Sequence, residues 1–298
     1  MEILIIQANG EHDKNRNFRE CFGLQRAFQK LGHNTFVSGR GHAFNDQGRY
    51  NDYDLIFLLE QYETNWLPDL NSTTRPVKMF WSTDGHAHRF TQYKHHRDIF
   101  HKNGYDILLQ CMKRWTEHVY ERWLPGATHE DLLVPLEGIK KEHDIGFCGN
   151  WVNRQNIYNI LNDAFGVKLD IGVIGQDMVR AINSYKIHMN RNHSFGMNGR
   201  NFETIACGTA LLTNWSEEHD DLGFVDGENC IVYYDEHASI IPEGLPEKVQ
   251  KYLDDPDLLE EIARNGRELS KKHTYTERAK QILLYYDSFK NERNLWVD

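Results

Sequence analysis

"GRNFETIACGTALLTNW", residues 199–215, is the stretch on which the fold turns. Phe202, Ile205 and Ala206 follow the i, i+3, i+4 spacing of a helix face that packs on a core, and Gly199, Arg200 and Glu203 make the start of that helix polar and charged. Gly208 sits where a helix C-terminus takes a left-handed residue. The "ALLTN" that follows is apolar enough for a buried strand. The unit is loop, helix, strand, with Arg200 and Glu203 at the helix start.

The same alternation extends outward in both directions. "EILIIQA", "NTFVSG", "DLIFLLEQ", "VKMFWSTD" and "DILLQC" precede it, and "DIGFCGN", "LDIGVIG", "KIHMN", "ALLTN" and "NCIVYY" form a second series. Strands separated by helical stretches are the pattern of a parallel sheet with crossover helices. The pattern occurs twice, so two α/β halves are expected. Pro125, Pro135 and nearby glycines place the linker in 125–142, and the expected domains are 1–135 and 136–298. From Glu243 onward "PEKVQKYLDD", "PDLLEEIARNGRELSKKH" and "TYTERAKQILLYYDSFKNERNLW" read as successive helices. Asp255 before Pro256 supplies an N-cap and a first-turn proline, and Thr274 with Glu277 has capping-box spacing.

Composition narrows the function class. A net charge of -10 argues against a chain devoted to gripping a nucleic-acid backbone. Five cysteines without a Cys-x-x-Cys pair suggest neither a disulfide framework nor a zinc knuckle, and a reducing cytoplasm is the expected setting. "MEILIIQANG" lacks the basic and long apolar regions of a secretory leader, and no run is long enough to span a membrane.

Ligands of open α/β sheets sit beyond the carboxyl ends of the strands, so the loops there hold the candidate site residues. "QANGEHDKN" offers Gly10 for close backbone approach, although a single glycine is also an ordinary turn. "CGNWVNRQ" offers Gly149, Asn150 and Arg154, the arginine near a helix start where backbone amides already favour an anion. "VIGQD" offers Gly175, and "NRNHSFGMNGR" opens onto the helix of Glu203. Glu203 has two readings: a first-turn acid complementing the helix dipole, or a carboxylate that accepts the two hydroxyl hydrogens of a ribose. Arg200 one turn away would face a phosphate, which tips the reading toward the ribose. "WSTDGHAHRF" places Asp84, His86 and His88 after the fourth strand, where they could supply a general base, bind a hydroxylated substrate or hold a metal. No further ligand is identifiable by spacing. His95, His96 and His101 follow on a polar helix and read as a solvated face.

In "DIGFCGNWVNRQNIYNIL", "YKIHMNRNHSFGMNGRNFETIACGTALLTNW", "LGFVDGENCIVYYD" and "LEEIARNGRELSKKHTYTERAKQIL", the second half resembles group 1 glycosyltransferases, and specifically the branch like spore maturation protein CgeB. The resemblance covers residues from about 143 to 283. It implies the GT-B architecture: two Rossmann-like domains facing across a cleft, with a last helix, about 274–296, returning to the first. It further implies a nucleotide-sugar donor, UDP-linked by preference, held by the C-terminal domain without a metal or other cofactor. Glu203 would bind the ribose. Arg154 and Arg200 would neutralise the diphosphate. Gly149, Asn150, Gly175, Asn198, Gly199 and Asn201 would line the nucleotide site, and the acceptor would lie near Gly10 and Asp84. The acceptor class is open among saccharide, protein and small molecule, with nucleic acid disfavoured by charge. One position departs from the family: Phe195 stands where relatives often carry a glutamate that contacts the donor sugar. Transfer with retention is expected; in an inverting reaction Asp84 or His86 would be the base. The rival readings are a metal-dependent hydrolase built on Asp84, His86 and His88, and a GT-B protein that binds nucleotide or sugar without turnover.

Overall fold

The computed structural model describes residues 1–10, 12–44, 48–59, 66–83, 92–192, 196–233 and 244–294. The chain divides into two compact units, Met1–Pro125 together with the chain from Tyr275 onward, and Gly126–Thr274.

The first unit is built on β1 (Glu2–Ile6), α1 (Glu20–Lys30), β2 (Asn34–Ser38), β3 (Leu55–Leu59), β4 (Val77–Ser82), α2 (Gln92–Asn103), β5 (Ile107–Gln110) and β6 (Glu121–Trp123). The strands form one sheet in the order β2-β1-β3-β4-β5-β6, and every pair is parallel. In the register Ile3 pairs with Leu55 and Leu55 with Val77. Each residue of β3 and β4 is buried, because helices and loops cover both faces of a parallel sheet. That is why β3 reads as an unbroken apolar run and β4 as a run broken only by Lys78 before its closing Ser82, rather than as alternating strands. β6 carries no such run, and its Glu121 is buried among donors: Arg97 Nε at 2.7 Å, Gln110 Nε2 at 2.8 Å, and the backbone N–H groups of Glu117 and His118.

The second unit contains β7 (His143–Gly149), α3 (Gln155–Phe165), β8 (Lys168–Ile171), α4 (Gln176–Asn183), β9 (Tyr185–Met189), α5 (Gly199–Ala206), β10 (Ala210–Asn214), α6 (His219–Leu222), β11 (Ile231–Tyr233), α7 (Leu245–Leu253) and α8 (Pro256–Ser270). Its sheet runs β11-β10-β9-β7-β8, again all parallel. α5 occupies the region read from its apolar spacing, and Phe202, Ile205 and Ala206 are fully buried. Burying a side chain such as Phe202 contributes roughly 1.5–3 kcal/mol. Gly208 ends the helix at φ +68°, a conformation that would strain a residue with a Cβ. Asp255 caps α8 through a bond from the Leu258 N–H (3.1 Å), with Pro256 in the first turn.

The last helix, α9 (Tyr275–Asn294), belongs to the first unit and packs on α1. Arg278 Nε donates to the Pro125 carbonyl (3.0 Å), and Gln281 Nε2 and Tyr285 OH donate to the Trp123 carbonyl (3.1 and 2.8 Å). Among the described residues no helix is long and apolar enough to cross a membrane.

Candidate nucleotide-sugar site

The carboxyl ends of β7, β9 and β10 bring together residues 149–154, 190–192, 196–198 and 214–218 with the start of α5. Gly149 ends β7 at φ +153°. A Cβ there would lie 3.6 Å from Nε and Nη2 of Arg200, so glycine keeps this strand end open beside the guanidinium. Arg200 Nη1 is 2.7 Å from Glu203 Oε2, and both side chains are partly exposed, at 18% and 25%. Arg200 Nη1 also reaches Met178 Sδ on α4 (2.8 Å), which Gly175 immediately precedes. Gly149, Arg200 and Glu203 are therefore one cluster, with the start of α4 beside it. Among the described residues nothing lies within 4 Å of a Cβ built on Gly199, so they leave the space over the first turn of α5 open.

The structure changes the reading of several residues. Glu203 lies beyond the first turn of α5, which contains no acidic residue, so the dipole-complementing reading fails. Asn198 is the N-cap: its Oδ1 accepts from the Arg200 N–H at 3.1 Å. Asn201 is fully buried. Its Nδ2 donates to Asn192 Oδ1 (2.7 Å), while its Oδ1 accepts from Thr213 Oγ1 (2.8 Å) and Asn190 Nδ2 (3.0 Å). Asn192 continues the network by donating from its N–H to Asn214 Oδ1 (2.6 Å) and accepting from the Asn198 N–H (3.1 Å). This lattice of amides fixes the loop after β9 to α5 and β10.

Arg154 is buried rather than presented at the surface. It donates to the carbonyls of Asn150 (2.8 Å), Val152 (3.0 Å) and Arg191 (3.2 Å), and its guanidinium lies over the Phe147 ring, 5.3 Å from the centroid. Arg191 donates in turn to the Asn153 carbonyl. Burial, and then the charges of Arg200 and Arg191, push Arg154 down to about 10. The charges of Arg200 and Arg191 thus reach Arg154, and among the described residues the one carboxylate paired in this cluster is Glu203 on Arg200, so positive charge is concentrated here in a way that favours an anion. Asn150 Oδ1 accepts from the Val152 N–H (3.1 Å) and shapes the same loop.

Beneath this cluster lies His188, which is fully buried. The Cys148 N–H donates to its Nε2 (3.0 Å), so the ring proton is on Nδ1 and is donated to Thr204 Oγ1 (2.7 Å). Thr204 passes its own hydroxyl to the Arg200 carbonyl (2.7 Å). Burial foremost, with the charge of Arg200 next, holds His188 well below its ordinary pKa and therefore neutral. His188, Asn190, Arg191, Asn192 and Thr213 are not marked by any local spacing. Their one signal is polar residues packed between two strand-like runs.

Of the residues expected in the first unit, Gly10 is described: a Cβ on it would meet Arg19 Cδ at 3.0 Å. Asp84, His86, His88 and Phe195 lie outside the described residues. His95 and His101 are exposed, but His96 is not part of a solvated face. It is fully buried, bonded through Nδ1 to Ser82 Oγ (2.6 Å) and through Nε2 to Gln92 (3.0 Å), and burial pushes it down to about 3. An i+4 partner on its own helix and a hydroxyl at the end of β4 give it a dry site in an otherwise polar helix.

The profile of the glycosyl transferase-like family matches residues 130–284, more than half of the chain. The chain belongs to this family. Solved structures agree on the fold of this glycosyltransferase. Sucrose-phosphate synthase from Thermosynechococcus elongatus superimposes with a TM-score of 0.66 at 12% identity, over 98% of this chain and 99% of that one. Anabaena HepE, solved in complex with UDP and glucose, gives a TM-score of 0.69 at 11% identity, over 97% and 100%. AviGT4, a glycosyltransferase of avilamycin A biosynthesis, gives 0.60 at 9% identity, over 97% of each. No curated protein sequence matches. The glycosyltransferase thus has the GT-B fold of these neighbours, with its two parallel sheets as the two Rossmann-like halves.

Proposed function

We propose that this glycosyltransferase moves a sugar from a UDP-sugar to an acceptor hydroxyl, with retention of configuration and with arginine rather than metal charge at the diphosphate. The observation that carries the reading is the Arg200–Glu203 pair at the start of α5, next to Gly149 and the open space over Gly199. Glu203 has two oxygens for the two ribose hydroxyls, and Arg200 provides a planar fork for phosphate oxygens. Arg154 contributes charge from behind the loop that it braces. Gly149, Asn150, Gly175, Asn198, Gly199 and Asn201 shape the nucleotide site, the two asparagines of α5 by holding its first turn rather than by touching the ligand. The second unit takes the donor, and the first unit, near Gly10 and Asp84, takes the acceptor.

In the reaction the bond between the anomeric carbon and the β-phosphate oxygen breaks as the bond to the acceptor oxygen forms. The acceptor proton leaves with the diphosphate. A fixed guanidinium that meets the charge growing on the departing diphosphate lowers the barrier without reorganising. The four matching stretches favour the branch like spore maturation protein CgeB, and the family match lends no support to a metal-dependent hydrolase. Thermal-shift measurements with UDP, ADP and GDP test the donor site. UDP raises Tm in the unmodified chain, and Glu203→Ala removes the increase; equal Tm with and without every nucleotide refutes the proposal. NMR of the anomeric proton in the product then decides retention.

A further inference from the structure

Around the loops after β1 and β2 and the segment before α1, three polar atoms are buried and have no hydrogen-bond partner among the described residues: Asn9 Oδ1, Arg19 Nε and His42 Nε2. They come from three segments, the loop after β1, the residue before α1 and the loop after β2, yet they are neighbours. A Cβ on Gly10 would meet Arg19 Cδ at 3.0 Å, and one on Gly41 would meet Asn9 Cβ at 3.3 Å. Asn9 and His42 line a cavity of about 420 Å³ that Phe22, Phe36 and Phe44 also wall. Buried polar atoms are almost always bonded, so three together mark a place that a ligand completes.

Their chemistry specifies the ligand. Asn9 Nδ2 donates to the Gly41 carbonyl (3.1 Å), which leaves Oδ1 to accept a hydroxyl hydrogen. The His42 ring bonds the Gln7 backbone; burial, and then the charges of Arg19 and Arg16, hold the ring below its ordinary pKa. A neutral ring offers Nε2 as a second acceptor. Arg16 is paired with Asp13, whereas Arg19 has no ion pair among the described residues. Two acceptors and aromatic walls in the cavity, with the Arg19 cation beside it and near enough for its charge to reach His42, suit a ligand that is polyhydroxylated, anionic and apolar on its C–H face.

We infer that Asn9, Arg19 and His42 form the acceptor subsite of this glycosyltransferase and that it selects a saccharide bearing a carboxylate or phosphate, an assignment that rests on the transferase reading above. Asn9 and His42 accept the sugar hydroxyls, and Arg19 takes the anionic group.

Calorimetric titration of the intact chain, in the presence of UDP, with glucuronate, glucose 6-phosphate and glucose tests this. At least one anionic sugar binds tenfold or more tightly than glucose, and which one does so tells carboxylate from phosphate. Arg19→Gln abolishes that preference, Arg19→Lys retains it, and Asn9→Leu or His42→Phe weakens all three sugars tenfold. UDP affinity stays within twofold in each variant, which reports intact folding. Binding indifferent to charge, a preference that survives Arg19→Gln, or no sugar binding by a chain that binds UDP overturns the inference. Loss of UDP binding alone strikes the donor reading instead and leaves the Arg19 preference readable.

Discussion

The two units finish their strand ends differently. Both end their parallel strands in polar loops, yet in the second unit Asn192, Asn198, Asn201 and Thr213 bond one another into a network tied to α5. In the first unit Asn9, Arg19 and His42 leave buried polar atoms unbonded. Satisfied polar networks hold geometry, and unsatisfied ones await a partner. The proposed donor side thus has its loops tied together by shared amides, with Asn190 Oδ1 left unbonded among the described residues, whereas the proposed acceptor side has three unbonded atoms in neighbouring segments. Each unit also buries a neutral histidine between strand and helix, His188 below the donor cluster and His96 beneath β4.

The largest effect expected in this comparison is on the core of the second unit. Phe202→Ala should cost about 3–5 kcal/mol in urea unfolding, with loss of UDP binding, because α5 positions Arg200 and Glu203. A loss under 1 kcal/mol would show that the donor site does not depend on this packing. Acid should act on both units. The His96 pKa is lowered from 6.5 to about 3, so between those values the unfolded chain binds a proton that the folded chain does not. Stability is fully present above about pH 6.5 and falls as pH drops toward 3, by at most about 1.4 kcal/mol per pH unit from this group. Denaturant titrations from pH 7 to 4 check it: a His96→Gln variant should show a shallower decline, and an unchanged slope would contradict the assignment.

Arg200→Ala should weaken UDP by roughly ten- to a hundredfold, about 1.4–2.8 kcal/mol, while leaving uridine, which lacks phosphate, nearly unaffected in competition titrations. Equal losses for both ligands would place Arg200 away from the diphosphate. The smallest effect is expected for Asn198→Ala, about 1 kcal/mol of stability from the lost cap. Asn198→Asp should restore most of it, and failure to do so would point to the amide bonds with Asn190 and Arg191 instead.

Local spacing made much of this molecule legible. Ten of the eleven strands among the described residues coincide with apolar runs, and α5 with its buried face follows from three residues. β6 escaped because its buried residue, Glu121, is anchored by Arg97 and Gln110 from other elements, not by hydrophobicity. His96 was misread as solvated because the helix around it is polar, while its partner Ser82 is fourteen residues away. Arg154, Asn198 and Asn201 are legible in the sequence as polar residues of strand-end loops, but their work as brace, cap and lattice depends on carbonyls and amides supplied by other loops.

By itself the sequence determined the two parallel sheets, the helix of residues 199–206 and the conjunction of Arg200 with Glu203, because each is set by spacing within one or two turns or one strand. The tertiary structure alone decided which polar groups are shared and which stand open, since hydrogen bonds across strand ends join residues that no sequence period relates. Asn201 and His42 are both polar residues in strand-end segments, and only packing made one a finished part of the scaffold and left the other with an unbonded nitrogen.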